Sequence, residues 1–75
     1  MKKLFGQALE LLRKNKKLSQ ADVAKRLGVS IHHYQSVELG RRKLESMEAW
    51  LALAQLHGWQ WPELRRYRKM MKEEK

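Results

Sequence analysis

The sequence predicts an all-α fold, a compact bundle of five helices forming a single domain over residues 1–75, and three observations carry that expectation. Apolar residues recur at spacings of three and four throughout, the period of a helix rather than the alternation of a half-buried strand. Only one Pro interrupts the chain, and Ser and Gly stand where helices need to start and stop. A chain of 75 residues has room for one core and none for a deep cleft, since a fold of this size buries only about 60% of its unfolded surface.

The first helix is expected over residues 3–15, with Leu4, Phe5, Ala8, Leu9, Leu11 and Leu12 as a broad apolar stripe. Its basic end, Arg13, Lys14, Lys16 and Lys17, suits the negative end of the helix dipole and equally suits contact with phosphate, so both roles stay open. The second helix, 20–27, has Ser19 as cap, Asp22 as its reciprocal partner, Leu18 placed to staple against Val23, and Gly28 as its stop. The third, 31–39, repeats the device with Ser30, with Val29 facing Tyr34, and with Gly40. The loop 41–45 leads to a fourth helix, 47–57, capped by Ser46 and closed by Gly58, whose core candidates are Met47, Trp50, Leu51, Leu53, Ala54 and Leu56. A fifth, 61–71, opens on Trp61-Pro62-Glu63, where Pro is tolerated in the first turn, and the last four residues are expected to fray.

Seventeen Lys and Arg against eight Asp and Glu give a net charge of +9, a strong positive field for so small a body. A polyanionic partner follows, nucleic acid first and an anionic membrane surface second. The absence of Cys removes disulfides and Cys-based zinc sites and fits a reducing, cytoplasmic setting. The apolar start is broken at Gln7, Glu10 and Arg13, so it does not read as a secretory signal, and no stretch is long enough to span a bilayer. No nucleophile with a base, no paired carboxylates and no phosphate-cradling Gly loop is found; neither an enzyme nor a cofactor is expected. His32 and His33 point to different sides of a helix and form no i,i+4 pair with each other or with His57, so no metal site is expected.

Helix, short Gly turn, helix is the DNA-binding supersecondary unit when its second helix leaves a polar face free. At 100° per residue, Ser30, Tyr34, Val37 and Glu38 share one arc that should pack inward, where Arg41 or Arg42 is available to pair with Glu38. His32, Gln35, Ser36 and Leu39 fall on the opposite arc, flanked by Ile31 and His33. Imidazole, amide, hydroxyl and small apolar groups with no carboxylate among them suit base edges in a major groove.

The stretch Leu18-Ser19-Gln20-Ala21-Asp22-Val23-Ala24-Lys25-Arg26-Leu27-Gly28-Val29-Ser30, followed by Tyr34-Gln35-Ser36-Val37-Glu38-Leu39-Gly40-Arg41, resembles the Cro/Xre-type helix-turn-helix regulators, the phage-repressor group. The likeness covers roughly residues 5–64 and implies a lambda-repressor-like bundle whose partner is double-stranded DNA. It implies base reading by Ile31, His32, Gln35 and Ser36. It further implies phosphate contact by Gln20 and by Arg41, Arg42 and Lys43, with Lys17, Ser30 and His33 as flanking candidates. Two departures stand out: the loop after Gly40 is one residue longer and lacks the usual Pro, and His57 occupies a place where the family commonly has a buried Leu. At that helix end His57 is expected to be partly buried and favourable to the dipole.

Trp50, Trp59 and Trp61 read first as core, because a small domain needs large apolar side chains. Trp59, Trp61, Leu64, Tyr67 and Met71 also make a candidate dimerisation surface, and a homodimer on a two-fold operator is what the family resemblance implies. The functional expectation is a small transcriptional regulator, a repressor, associated with the nucleoid when bound. The alternative is an adaptor or antitoxin-like module that binds a protein partner through its aromatic C-terminal helix. The basic last helix, with Arg65, Arg66, Arg68, Lys69 and Lys72, also admits a membrane-surface reading, but its apolar side is narrow, so no membrane partner is expected.

Overall fold

The computed structural model describes residues 4–74, and Lys3, where the first helix is expected to begin, and Lys75 lie outside the described residues. Among the described residues α1 runs Leu4–Asn15, α2 Gln20–Leu27, α3 Ile31–Glu38, α4 Met47–His57 and α5 Trp61–Glu73, with no strand. This is an all-helical bundle of the lambda-repressor-like type. Helix α3 stops one residue before Leu39, and α5 continues two residues past Met71. That last turn of α5 is held because the Glu74 carboxylate accepts the Phe5 backbone N–H at 2.7 Å, tying the end of the chain to α1.

The helices start as their sequences direct. Ser19 Oγ accepts from Asp22 N at 3.0 Å while the Asp22 carboxylate accepts from Ser19 N at 2.9 Å, and these bonds hold the Asp22 carboxyl below its ordinary pKa. Ser30 and Ser46 cap α3 and α4 through the backbone N–H groups of His33 and Ala49. The start of α5 adds an unforeseen bond, from Gln60 N to the Glu63 carboxylate at 2.7 Å. Four of the helices end in the same left-handed turn. For α3, Gly40 N donates to Val37 O and Arg41 N to Ser36 O, the paired bonds of a Schellman motif. At the end of α1 this conformation falls on Lys17, at φ 57°, where a Cβ makes it costly.

The core is built around Trp50, which is fully buried, lies 5.5 Å from the Phe5 ring and donates its indole N–H to Leu44 O at 2.6 Å. Leu44, expected in a loop, is itself core: its carbonyl is held by Trp50, and its N–H points at Met71 Sδ, 3.2 Å away. The expected apolar stripes are narrower than drawn. Leu4 and Leu11 of α1 are 69% and 64% exposed, because the seam that faces the other helices runs through Phe5, Leu9 and Arg13. Met47 and Leu51 of α4 are likewise exposed, while Trp50, Leu53 and Ala54 are buried. Among the dimerisation candidates, Leu64 and Met71 belong to the chain's own core and are not available at a surface. Trp59 and Tyr67 stack on each other at 4.3 Å, leaving Trp61 as the exposed member.

His57 departs from its expected role. Both ring nitrogens are buried without a hydrogen-bond partner, and burial, followed by the nearby Lys16 charge, lowers its pKa, so the neutral ring is favoured and the dipole gains little from it. Because the folded pKa lies below the ordinary 6.5, the unfolded chain takes up the proton first as pH falls. This contribution to stability is therefore complete above about pH 6.5 and is lost progressively on acidification. Thermal melts at pH 7.5 and 5.5 should show His57→Leu more stable than the parent by about 1 kcal/mol at the higher pH, roughly 4–8 °C, with a larger gap at the lower one. A gap that narrows on acidification would exclude a neutral, desolvated His57.

Helix α1 meets α3 through Gly6. A Cβ placed there would lie inside the Glu38 carbonyl oxygen, a contact that only backbone movement relieves. Gly6→Ala should therefore destabilise by about 2–3 kcal/mol, although helix propensity alone favours Ala by about 1 kcal/mol. Chemical denaturation measures it, and a more stable variant refutes the close approach.

Candidate nucleic-acid interface

The turn between α2 and α3 comprises Gly28, Val29 and Ser30, with Gly28 left-handed at φ 73° and Val29 packed against the core. Two short helices are thereby fixed relative to each other, and α2 also packs on α4 while α1 packs on α3. On α3, Tyr34, Val37 and Glu38 point inward and are buried, as the helical wheel requires. Ser30 is exposed rather than inward, because the cap residue has extended backbone and stands outside the helix. The outer face presents Ile31 and His32 at the start of the helix and Leu39 at its end, all exposed, with Gln35 and Ser36 half-buried along its border.

What lies under this face was not foreseen. Arg13, read as part of a basic helix end, is buried, and its Nε donates to the Glu38 carboxylate at 2.7 Å. Its Nη2 reaches the same carboxylate at 3.3 Å, and its Nη1 donates to Leu18 O at 3.0 Å. Glu38 thus pairs with Arg13 of α1, not with Arg41 or Arg42, which are exposed in the loop. The hydrogen bond to Glu38 raises the Arg13 pKa above its already high ordinary value. Beside them the phenol of Tyr34 is pushed up by burial, then by the neighbouring Glu38 carboxylate, although the hydroxyl is not within hydrogen-bonding geometry of any partner.

The ion pair is extended by two amides. Gln20 Nε2 donates to the Glu38 carboxylate at 3.1 Å, and Gln35 Nε2 donates to Gln20 Oε1 at 3.1 Å. Ionised Glu38 can only accept, so the amino group of Gln20 must face it, its carbonyl must face Gln35, and the amino group of Gln35 must turn back toward Gln20. One N–H and the carbonyl oxygen of Gln35 are left for the outside, a donor and an acceptor side by side. Gln20 keeps a single N–H for any phosphate.

The remaining phosphate candidates are placed unequally. Arg41, Arg42 and Lys43 are exposed, and the backbone N–H groups of Arg41 and Arg42 both donate to Ser36 O, at 2.9 and 3.3 Å, so the basic loop is tethered to α3. Lys17 is exposed in its left-handed turn. His33 departs from the others: its ring Nε2 is buried without a partner, so that atom is not presented outward. Among the described residues no group of three His, Asp or Glu side chains is gathered as a metal ion would need, and no helix is long and apolar enough to cross a membrane.

Arg13 was legible as a charged residue on the Phe5, Leu9 stripe, and Glu38 as one on the inward arc of α3. Two opposite charges on two buried stripes imply each other. Gly6 gave no such signal, since nothing in its neighbours announces a close approach.

A family model described as a helix-turn-helix domain matches residues 4–67, from the start of α1 to the middle of α5. No curated protein and no solved structure matches the chain.

Removing either partner of the buried pair, by Arg13→Met or Glu38→Leu, should cost about 3–5 kcal/mol, because the survivor is left charged and unpaired. The double variant should recover most of that loss, leaving Gln20 without its acceptor. Denaturation of the two singles and the double forms the cycle; additive losses would show that the two charges do not depend on each other.

Proposed function

Because the chain belongs to the helix-turn-helix domain family, we propose that it is a small transcriptional regulator that binds double-stranded DNA sequence-specifically, with α3 in the major groove. The observation that carries this reading is the half-buried Gln35 amide, oriented through Gln20 by the buried Glu38 carboxylate and left with one N–H and its carbonyl oxygen for a base. Such a pair suits the adjacent donor and acceptor of an adenine edge. Ile31, His32 and Ser36 stand beside it as the other base-reading candidates, with Ile31 able to meet a thymine methyl. Gln20 through its free N–H, and Ser30, Lys17, Arg41, Arg42 and Lys43, hold the phosphates on either side, and the net charge of +9 draws the duplex in. With Glu38 buried, its charge is neutralised by Arg13 and does not repel the backbone.

Acting through occupancy of its site, the regulator is a cytoplasmic repressor that binds as a homodimer to two related half-sites. Support for the dimer comes from Trp61, 61% exposed at the rim of a groove of about 280 Å³ lined also by Leu51, Ala54, Gln55 and Trp59. An exposed indole beside a groove that mixes apolar side chains with Gln55 and Gln60 is an anchor of the kind interfaces use. The same groove favours the second reading, an adaptor or antitoxin-like module in which a different protein covers it.

Duplexes selected from a random pool supply the test. Gln35→Ala with Ser36→Ala should weaken binding to the selected site by about tenfold or more, leaving random duplex nearly unaffected, since one bidentate base contact is worth about 1–3 kcal/mol. Equal losses on both duplexes would remove the base-reading role. Sedimentation of the same chain with and without DNA checks the dimer; a monomer at tens of micromolar in both states overturns it.

A further inference from the structure

We propose that α5 carries a second DNA-backbone contact, a basic band that takes the phosphates flanking the segment covered by α3; this rests on the reading that the chain binds duplex DNA. Its first support is continuity. A cavity of about 110 Å³ at the end of α3 is lined by Arg41, Arg42, Lys43 and Met71, among others. Next to it a groove of about 320 Å³ is lined by Lys43, Leu44, Glu45, Arg68, Met71 and Lys72. A third concavity, about 280 Å³, is lined by Arg65, Arg68, Lys69 and Lys72 alone. Lys43 and Met71 are common to the first two, and Arg68 and Lys72 to the last two. The basic loop that follows α3 therefore runs without a break onto the side of α5.

The second support is charge without compensation. The described ion pairs join Arg13 to Glu38 and Lys14 to Glu10, and among the described residues none reaches Arg65, Arg68, Lys69 or Lys72. Two carboxylates border the band, Glu74 in the first cavity, which accepts the Phe5 N–H, and Glu45 in the second; among the described residues neither is ion-paired to Arg65, Arg68, Lys69 or Lys72, and the cations outnumber them. The third support is the way the band is fixed to the core. The Arg68 guanidinium carbon lies 5.9 Å from the centre of the Trp50 ring, and its Nε is buried with no hydrogen-bond partner. Trp50 also holds the Leu44 carbonyl, next to Lys43. One buried indole thus sets the position of both parts of the band, so less side-chain freedom is lost when an anion binds.

The chemistry selects the backbone of nucleic acid over other polyanions. All four side chains that line the concavity are Lys or Arg, and no aromatic or branched apolar residue stands among them as the anchor that a protein interface or a membrane-inserting face needs. Its continuity with the loop after α3 lets a single extended polyanion occupy both. The aromatic groove at Trp61 shares no lining residue with the band, so dimerisation and this contact do not compete for residues.

The full chain, the variant Arg65→Gln/Lys69→Gln/Lys72→Gln and the single variant Arg68→Gln are titrated against the selected duplex in two lengths. One is trimmed to the segment α3 covers with its adjoining phosphates; the other is extended by ten base pairs on each side. The triple variant changes only exposed residues, and a melting curve shows whether Arg68→Gln stays folded. With two or three extra phosphates contacted, the parent's salt slope should be steeper on the extended duplex by about 2–3, at about 0.9 per phosphate. The triple variant should lose that difference, with about tenfold or more lost on the extended duplex at 0.1 M salt and under about threefold on the trimmed one. Equal parental slopes on both lengths, or equal losses by the variant on both, overturn the second contact. Failure of the parent to bind either duplex overturns the DNA-binding reading instead.

Discussion

The buried pair of Arg13 and Glu38 is the constraint on which the rest of this small structure depends. Its three hydrogen-bonding nitrogens and two carboxylate oxygens touch α1, the turn before α2, α2 itself and the last residue of α3. Glu38 is fixed twice, by its carboxylate against Arg13 and by its carbonyl against Gly6. Burying two charges is expensive, and well-packed apolar residues often do as well or better for stability alone. What an ion pair adds is direction. An apolar contact leaves a neighbouring amide free to flip, whereas an acceptor-only carboxylate dictates which end of Gln20, and through it which end of Gln35, faces where.

Around this centre the local signals agree with one another. Ser19, Ser30 and Ser46 satisfy the starts of three helices, and left-handed residues satisfy the ends of four. With so small a core, each of these bonds is a sizeable part of the net stability. Their work is also geometric, since the Gly28 turn and the Ser30 cap decide the angle at which α3 leaves α2, and the Gly40 turn brings the loop back under Ser36. Lys17 is the exception, holding a conformation that Gly would hold at lower cost. Non-glycine residues kept in that region concentrate at functional positions, and an exposed cation there fits the phosphate role proposed for it.

Much of the fold was legible because helix signals are local. Caps, stops and the three-four spacing are written within a few residues of where they act, and the inward set of Tyr34, Val37 and Glu38 follows from 100° per residue. What was not legible depends on distant partners. Leu44 becomes core because Trp50 and Met71, six and 27 positions away, grip its peptide. Leu4 and Leu11 fit a generic stripe yet face solvent, because a 12-residue helix contacting α3 and α5 needs only one narrow seam. The partner of Glu38 was misread by proximity in sequence: Arg41 and Arg42 are near in the chain, whereas Arg13 is near in space. The outward residues of α3 were visible beforehand, but the hydrogen-bond relay that orients Gln35 was not.

The three tryptophans occupy three different environments: Trp50 sealed in the core, Trp59 stacked on Tyr67 and half-covered, Trp61 mostly in water. Indole emission shifts with the polarity around the ring, so the chain carries three built-in optical reporters of separate events. Trp50 senses loss of the core and, through Arg68, the state of the basic band; Trp61 senses whatever covers the groove. Single-tryptophan versions of this one chain would thus separate unfolding from association without any added label.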